Sequence, residues 1–171
     1  MSFLSSLFGL GTDPREDLRP LWHSIVAISR EPHWYAKSGV ADNIAGRFDM
    51  IAAVLALVLV RMEHDPRLVA VTHHLTELFV DDMDGQLREI GVGDLAVGKH
   101  MGKLVGVLGG RLGAMRDLHK QDDETLAQAI DRNVTMVDGA DPALLAASLR
   151  DLARQLEHTS ADDLLAGRIA R

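Results

Sequence analysis

Cysteine is absent from the 171 residues, and disulfides, thiolate metal sites and cysteine nucleophiles go with it. A reducing cytoplasm suits such a chain. Aromatic residues make up only 4%, which removes much of the Tyr, Phe and Trp that strands favour and leaves Leu, Ala, Val and Met to build helices. An excess of positive charge is missing too. The formal net charge is -7, and broad nucleic-acid binding, which neutralises phosphates with many Lys and Arg, is not expected. Long hydrophobic runs are lacking as well. The longest, Met50 to Val60 between Arg47 and Arg61, falls well short of the roughly 20 residues needed to span a bilayer. Met1 to Gly11 is apolar but has neither a positive n-region nor a small-residue cleavage site, so it does not read as a signal peptide.

Catalytic signatures are missing in the same way. The sequence contains no Gly-x-Ser-x-Gly, no Gly-x-x-x-x-Gly-Lys-Ser/Thr, no His-Glu-x-x-His and no Glu-x-x-His. Nucleophile-elbow, phosphate-loop, zincin and bundle di-iron chemistry therefore have no sequence support. His73, His74 and Glu77 share one turn of an expected helix, a weak metal-ligand spacing. Asp81, Asp82, Asp84, Glu89 and Asp94 invite a calcium reading, but Val80 stands where an EF-hand loop needs its first acidic ligand. No cofactor and no metal is expected.

What is present is a helical pattern. With 47% hydrophobic and 25% charged residues, the chain has the composition of one globular domain. The expectation is an all-α, single-domain bundle of about six to seven helices around a central apolar one. Met50 to Val60 is apolar nearly all round and belongs at the centre. Asp42 is the expected cap of that helix. Pro20 to Ser29 reads as a helix, Glu31 to Ala41 as an ordered loop, and Asp65-Pro66 as the cap and first turn of a helix carrying Leu68, Val71, Leu75, Leu78 and Phe79. Gly91-Val92-Gly93 is a stop before Asp94 begins the next element, and Lys99 to Leu118 is helical again. Further helices run from Asp122 to Asn133, from Pro142 to Glu157 with Asp141 as cap, and from Ser160 with Asp163 in the capping-box position. Residues 1–12 form a leader, 13–120 a helical core and 121–171 a C-terminal helical extension packed on it.

Gly98, Gly102, Gly106 and Gly110 recur every four residues, with Gly109 and Gly113 at the same interval. Each interior helical glycine costs about 1 kcal/mol relative to Ala, so such a stripe needs an offsetting gain from a close neighbour. That neighbour is either internal or foreign, and internal packing is the first expectation. Lys99, Lys103, Arg111, Arg116 and Lys120 make this stretch basic, whereas Asp81 to Asp94 is acidic. Either the two segments face each other or water, or together they form a two-signed docking surface.

Several stretches align with a known family. Trp34-Tyr35, Val40-Ala41-Asp42 and Gly46-Arg47-Phe48-Asp49 come first. Asp82-Met83-Asp84 and the run Leu87-Arg88-Glu89-Ile90-Gly91-Val92-Gly93-Asp94 follow, then Lys99-His100-Met101 and Gly110-Arg111. Together they resemble the ubiquinol-cytochrome c chaperone family over about Leu21 to Leu118; Gln121 to Arg171 lies outside this likeness. The resemblance implies an assembly factor for the ubiquinol-cytochrome c reductase complex, respiratory complex III, with cytochrome b as its client and no catalysis.

On that reading the candidate partner-binding residues are Trp34, Tyr35, Arg47, Asp84, Arg88, Glu89, Asp94, Lys99, Lys103, Gly102, Gly106, Gly110 and Arg111. For Arg47, Asp49, Arg88, Glu89 and Asp94 a buried structural network is the other expectation, and for Trp34 and Tyr35 it is packing of their loop onto the core; either way each charge needs a partner. The expected place of action is the cytoplasm, with peripheral contact at the inner (cytoplasmic) membrane, or the mitochondrial matrix in a eukaryote. Two readings compete. One is a metal-dependent enzyme built on His73, His74 and the Asp81 to Asp84 cluster. The other is a membrane-peripheral adaptor anchored through Phe3, Leu4, Leu7, Phe8 and Leu10.

Overall fold

A computed structural model describes residues 13–89, 94–116, 118 and 121–169. The side chains of residues 87, 88, 94–101, 103 and 104 lie outside the description. The leader reading for residues 1–12 also falls outside it.

After a 3-10 turn at Glu16–Leu18 come α1 (Arg19–Ser29), α2 (Pro32–Ala36) and α3 (Ile44–Glu63). Then follow α4 (Pro66–Val69), α5 (Thr72–Glu89), α6 (Asp94–Arg116), α7 (Asp123–Asn133), α8 (Pro142–His158) and α9 (Ala161–Leu165). Extended pairing among the described residues is confined to one antiparallel bridge between Val40 and Met136. The chain is all-α.

Helix α3 is the axis of the bundle. Every residue from Met50 to Leu59 is buried, which an all-round apolar helix requires, and α1, α4, α5, α6 and α8 pack around it. Leu21, Trp22, Ile25 and Ile28 bring α1 to this core, and Leu75, Leu78 and Phe79 bring α5. Trp22 meets Phe79 edge-on at 6.1 Å between ring centroids.

Caps follow the sequence with one displacement. Asp65, Asp122, Asp141 and Ser160 accept backbone N–H bonds at the starts of α4, α7, α8 and α9. The cap of α3 is Asn43, whose side chain accepts from Gly46 N at 2.9 Å, and not Asp42, which pairs instead with Arg47 at 2.7 Å. The helix expected to run on from Pro66 is broken at Ala70–Val71 into α4 and α5. The break falls in a stretch with three β-branched residues, Val69, Val71 and Thr72, which are stiff at χ1, and it lets Leu68 and Leu75 both reach full burial. The segment expected as a loop after Glu31 contains α2.

The C-terminal helices are clamped to the rest. Leu126 and Ile130 of α7 and Leu145, Leu149, Leu152 and Leu156 of α8 enter the common core. Arg150 on α8 donates to Leu118 O at 3.3 Å and Gln121 O at 2.7 Å, and it also holds Asp123. Arg61 on α3 donates to Leu156 O and Thr159 O, each at 3.0 Å, satisfying carbonyls that the end of α8 leaves open.

Candidate functional site

Sequence reasoning nominated three areas, and the fold treats each differently. The first is the Trp34-Tyr35 pair. Trp34 is 1% exposed and its indole N–H donates to Ile28 O at 2.6 Å, so this ring serves the core rather than a partner. Tyr35 is half-buried and its hydroxyl donates to Ser29 O at 2.8 Å; burial pushes its phenol above the ordinary pKa. The edge of Tyr35 lines a shallow cleft of about 660 Å³ with Arg30, Pro32, Asp42 and Arg47. Arg47 is exposed and held by Asp42.

The second area is the acidic face of α5. Asp81 is engaged by Arg15 at 2.6 Å, and Arg116 of α6 turns to Glu63 of α3 with contacts of 2.9 and 2.6 Å. These two partners come from outside the α5–α6 pair, although the helices pack side by side. Asp84 is half-buried and Glu89 exposed on α5. Asp94 and Lys99 fall within α6, as does Lys103. Their side chains and that of Arg88 lie outside the described part.

The third area is α6 with the cleft beside it. Gly102, Gly106, Gly109, Gly110 and Gly113 are all exposed, and among the described residues a Cβ added at any of them would meet nothing within 4 Å. Among the described residues, the expected internal neighbour of this stripe is not found. What holds α6 is its opposite side, where Leu108, Arg111 and Met115 are buried against α3 and α7.

Arg111 is the centre of a polar knot. Its side chain is 5% exposed, and its Nη2 donates to Asp49 Oδ1 at 2.5 Å and to the carbonyl of Asn133. The second carboxylate oxygen of Asp49 accepts from Thr135 N at 2.8 Å and Thr135 Oγ1 at 2.7 Å. The buried-network expectation for Asp49 thus holds. Burial draws the Arg111 pKa down from its ordinary value, and Asp49 opposes that. The Nε of Arg111 is buried and has no hydrogen-bond acceptor. Arg111, Asp49, Gly106, Gly110, Arg132 and Thr135 line an open cleft of about 720 Å³.

The His73–His74 area shows only local contacts among the described residues. The rings of His73 and His74 lie 3.7 Å apart between centroids, tilted by 44°, and His74 Nδ1 lies 3.2 Å from Glu77. Among the described residues, no three His, Asp or Glu converge on a point where a cation would sit.

The sequence matches the profile of the ubiquinol-cytochrome C chaperone family over residues 36–171. The chain belongs to that family. The match runs past Leu118, where the motif likeness ends, and takes in α7, α8 and α9, which share the core with α3. The chain is also similar to a solved structure described as the Cbp3 homolog from Brucella abortus. The two are 33% identical with a TM-score of 0.77, over 91% of this chain and 88% of that one. A comparison with curated proteins gives no match.

The Asp49–Arg111–Thr135 knot is what residue patterns could not assemble. Asp49 lies 62 residues from Arg111 and 86 from Thr135, and the available signal was that Gly46-Arg47-Phe48-Asp49 and Gly110-Arg111 both belong to the family likeness.

Proposed function

We propose that this protein is an assembly chaperone of the ubiquinol-cytochrome c reductase complex that binds newly made cytochrome b until the complex incorporates it. The observation that carries the reading is the family match over residues 36–171. Binding, not bond-breaking, is the work: the surface offers a smooth uncharged helix face beside a polar cleft, which suits reversible contact with a protein segment. No described helix is long and apolar enough to cross a membrane, so contact with the membrane-embedded client is made from its edge. The site of action is the cytoplasmic face of the inner membrane, or the matrix face in a mitochondrion.

Deletion of the gene tests this. Cytochrome b and the mature complex should fall while other respiratory complexes persist; a general growth defect with cytochrome b at its usual level would refute the proposal.

A further inference from the structure

We infer that the groove between α1 and α5 is a docking surface for a water-exposed loop of the client, one that sets an apolar side chain between an acidic and a basic residue. This rests on the chaperone reading and names a surface and a partner chemistry for it. The groove encloses about 660 Å³. Its floor is apolar: Trp22 and Leu78 are buried, Val26 is half-buried, and all three line the space. Its walls differ in sign. From Arg19 to Arg30 the chain has no Asp or Glu, and the exposed Arg19, His23 and Arg30 border the groove on that side. Asp81 and Asp82 border it from α5. From Arg19 to Arg30 the α1 wall runs about 16 Å, the length of about five extended residues.

Part of this charge is already matched within the fold. Arg15 reaches Asp81 at 2.6 Å and closes one end of the groove, and Arg19 is held by Glu16 at 2.8 Å. The rest is not. Among the described residues the side chains of Arg30 and Asp82 make no ion pair and no hydrogen bond, although Asp82 is half-buried. A cation brought to Asp82 from outside meets it partly shielded from water, where the attraction is stronger than at an open surface.

Complementarity selects the occupant. A surface of one sign is attracted by one wall and repelled by the other, so anionic lipid headgroups that suit Arg30 are opposed by Asp81 and Asp82. Residues 1–12 carry no charged side chain and answer neither wall. A polypeptide segment with both signs answers both, and an apolar residue between them covers the floor. No described helix is long and apolar enough to cross a membrane, so the part of a membrane client that reaches the groove is a part that lies in water. Cytoplasmic loops of membrane proteins are rich in Lys and Arg, the residues that Asp82 requires.

The test separates folding from docking. Arg30→Glu and Asp82→Lys each reverse a charge that has no partner in the fold, and each should leave the urea midpoint of the purified protein unchanged. Asp82→Asn, which removes the charge at constant size, stands in should the lysine fail to fold. In cells, a photo-reactive residue at Ala27, exposed on the groove, should crosslink to a loop of cytochrome b outside the bilayer. The captured position should have a Lys or Arg and an Asp or Glu within about five residues. Capture should fall on the order of tenfold in each charge variant, because a like charge now meets one end of the loop. The same photo-reactive residue at Ala147, exposed on α8, is the control and should not capture that loop. Capture at Ala27 of lipid, of residues 1–12 or of a second copy of this chain would overturn the proposal, as would undiminished capture in either charge variant. If gene deletion lowers cytochrome b and Ala27 captures none of it, the chaperone reading survives and the groove is wrong. If deletion leaves cytochrome b unchanged, the chaperone reading has failed and this inference fails with it.

Discussion

Helices α3 and α6 lie against each other and use glycine for opposite ends. In α3 the glycine at position 46 is buried, and a Cβ there would stand 2.0 Å from the carbonyl oxygen of Ala41; the chain has to be bare because its own backbone turns across that spot. In α6, among the described residues, nothing would meet a Cβ within 4 Å at any of five glycines. One helix is specified from within, by a core that covers it on every side from Met50 to Leu59. The other is held along one side by Leu108, Arg111 and Met115, and its glycine face is exposed among the described residues. A glycine is therefore uninformative until what surrounds it is known.

The comparison can be broken first at its most constrained point. Gly46→Ala forces the start of α3 away from Ala41, and the expected loss exceeds about 3 kcal/mol, seen as a collapse of the urea midpoint or as failure to fold. An unchanged midpoint would mean that the α3 entry is far more pliable than its geometry suggests. Next comes the buried tie between the two helices. Asp49→Ala leaves the Arg111 guanidinium buried without its carboxylate, and the expected cost is about 3–5 kcal/mol by equilibrium denaturation. Thr135 loses an acceptor in the same step, so hydrogen exchange should rise in residues 133–137 as well as in α6. The third change has the opposite sign: Gly106→Ala should stabilise the protein by about 1 kcal/mol. A loss instead would show that a neighbour does press on that face. Asn43→Ala, which removes the cap of α3, should cost about 1 kcal/mol, whereas Asp42→Ala, expected from sequence to do the same, should leave the α3 start intact.

These sites also show what could be read before the structure. The axis helix was legible because apolarity on all faces from Met50 to Leu59 has one stable solution, burial at the centre. Caps at Asp65, Asp141 and Ser160 were legible because each stands beside the turn it closes, whereas Asp122, read as the first residue of its helix, turns out to cap it. Asp42 against Asn43 was not, since both are good caps and Arg47 decides between them by occupying Asp42. For Trp34 partner contact and core packing were both open from sequence; short α2 turns the ring inward, a local choice that composition does not encode. The glycine stripe was visible, but whether its partner is internal depends on where α6 sits, and that is set by residues scattered over the whole chain. The Asp49–Arg111–Thr135 knot was hidden for the same reason: its parts meet only after α3, α6 and the α7–α8 connection have packed.

A second ion pair joins α3 to α6 and gives the smallest and most discriminating test. Glu63 and Arg116 meet near the surface, with side chains 34% and 52% exposed, and the Arg116 hydrogen bond holds the Glu63 carboxyl below the ordinary value of 4.5. A carboxylate whose pKa is depressed on folding stabilises the native state fully above its unfolded value and loses that contribution as pH falls through the folded value. Glu63→Gln should therefore weaken the protein slightly at neutral pH, and the gap to the unmodified protein should close as pH falls below the ordinary value of 4.5 and through the lowered folded one. Raising salt should shrink the same gap at neutral pH, because exposed pairs are screened. Asp49→Ala, at the buried end of the same helix contact, should be far less sensitive to salt. If both variants responded to salt alike, the Asp49–Arg111 tie would be as open to water as the Glu63–Arg116 pair, and the distinction between a covered and an uncovered side of α6 would fail.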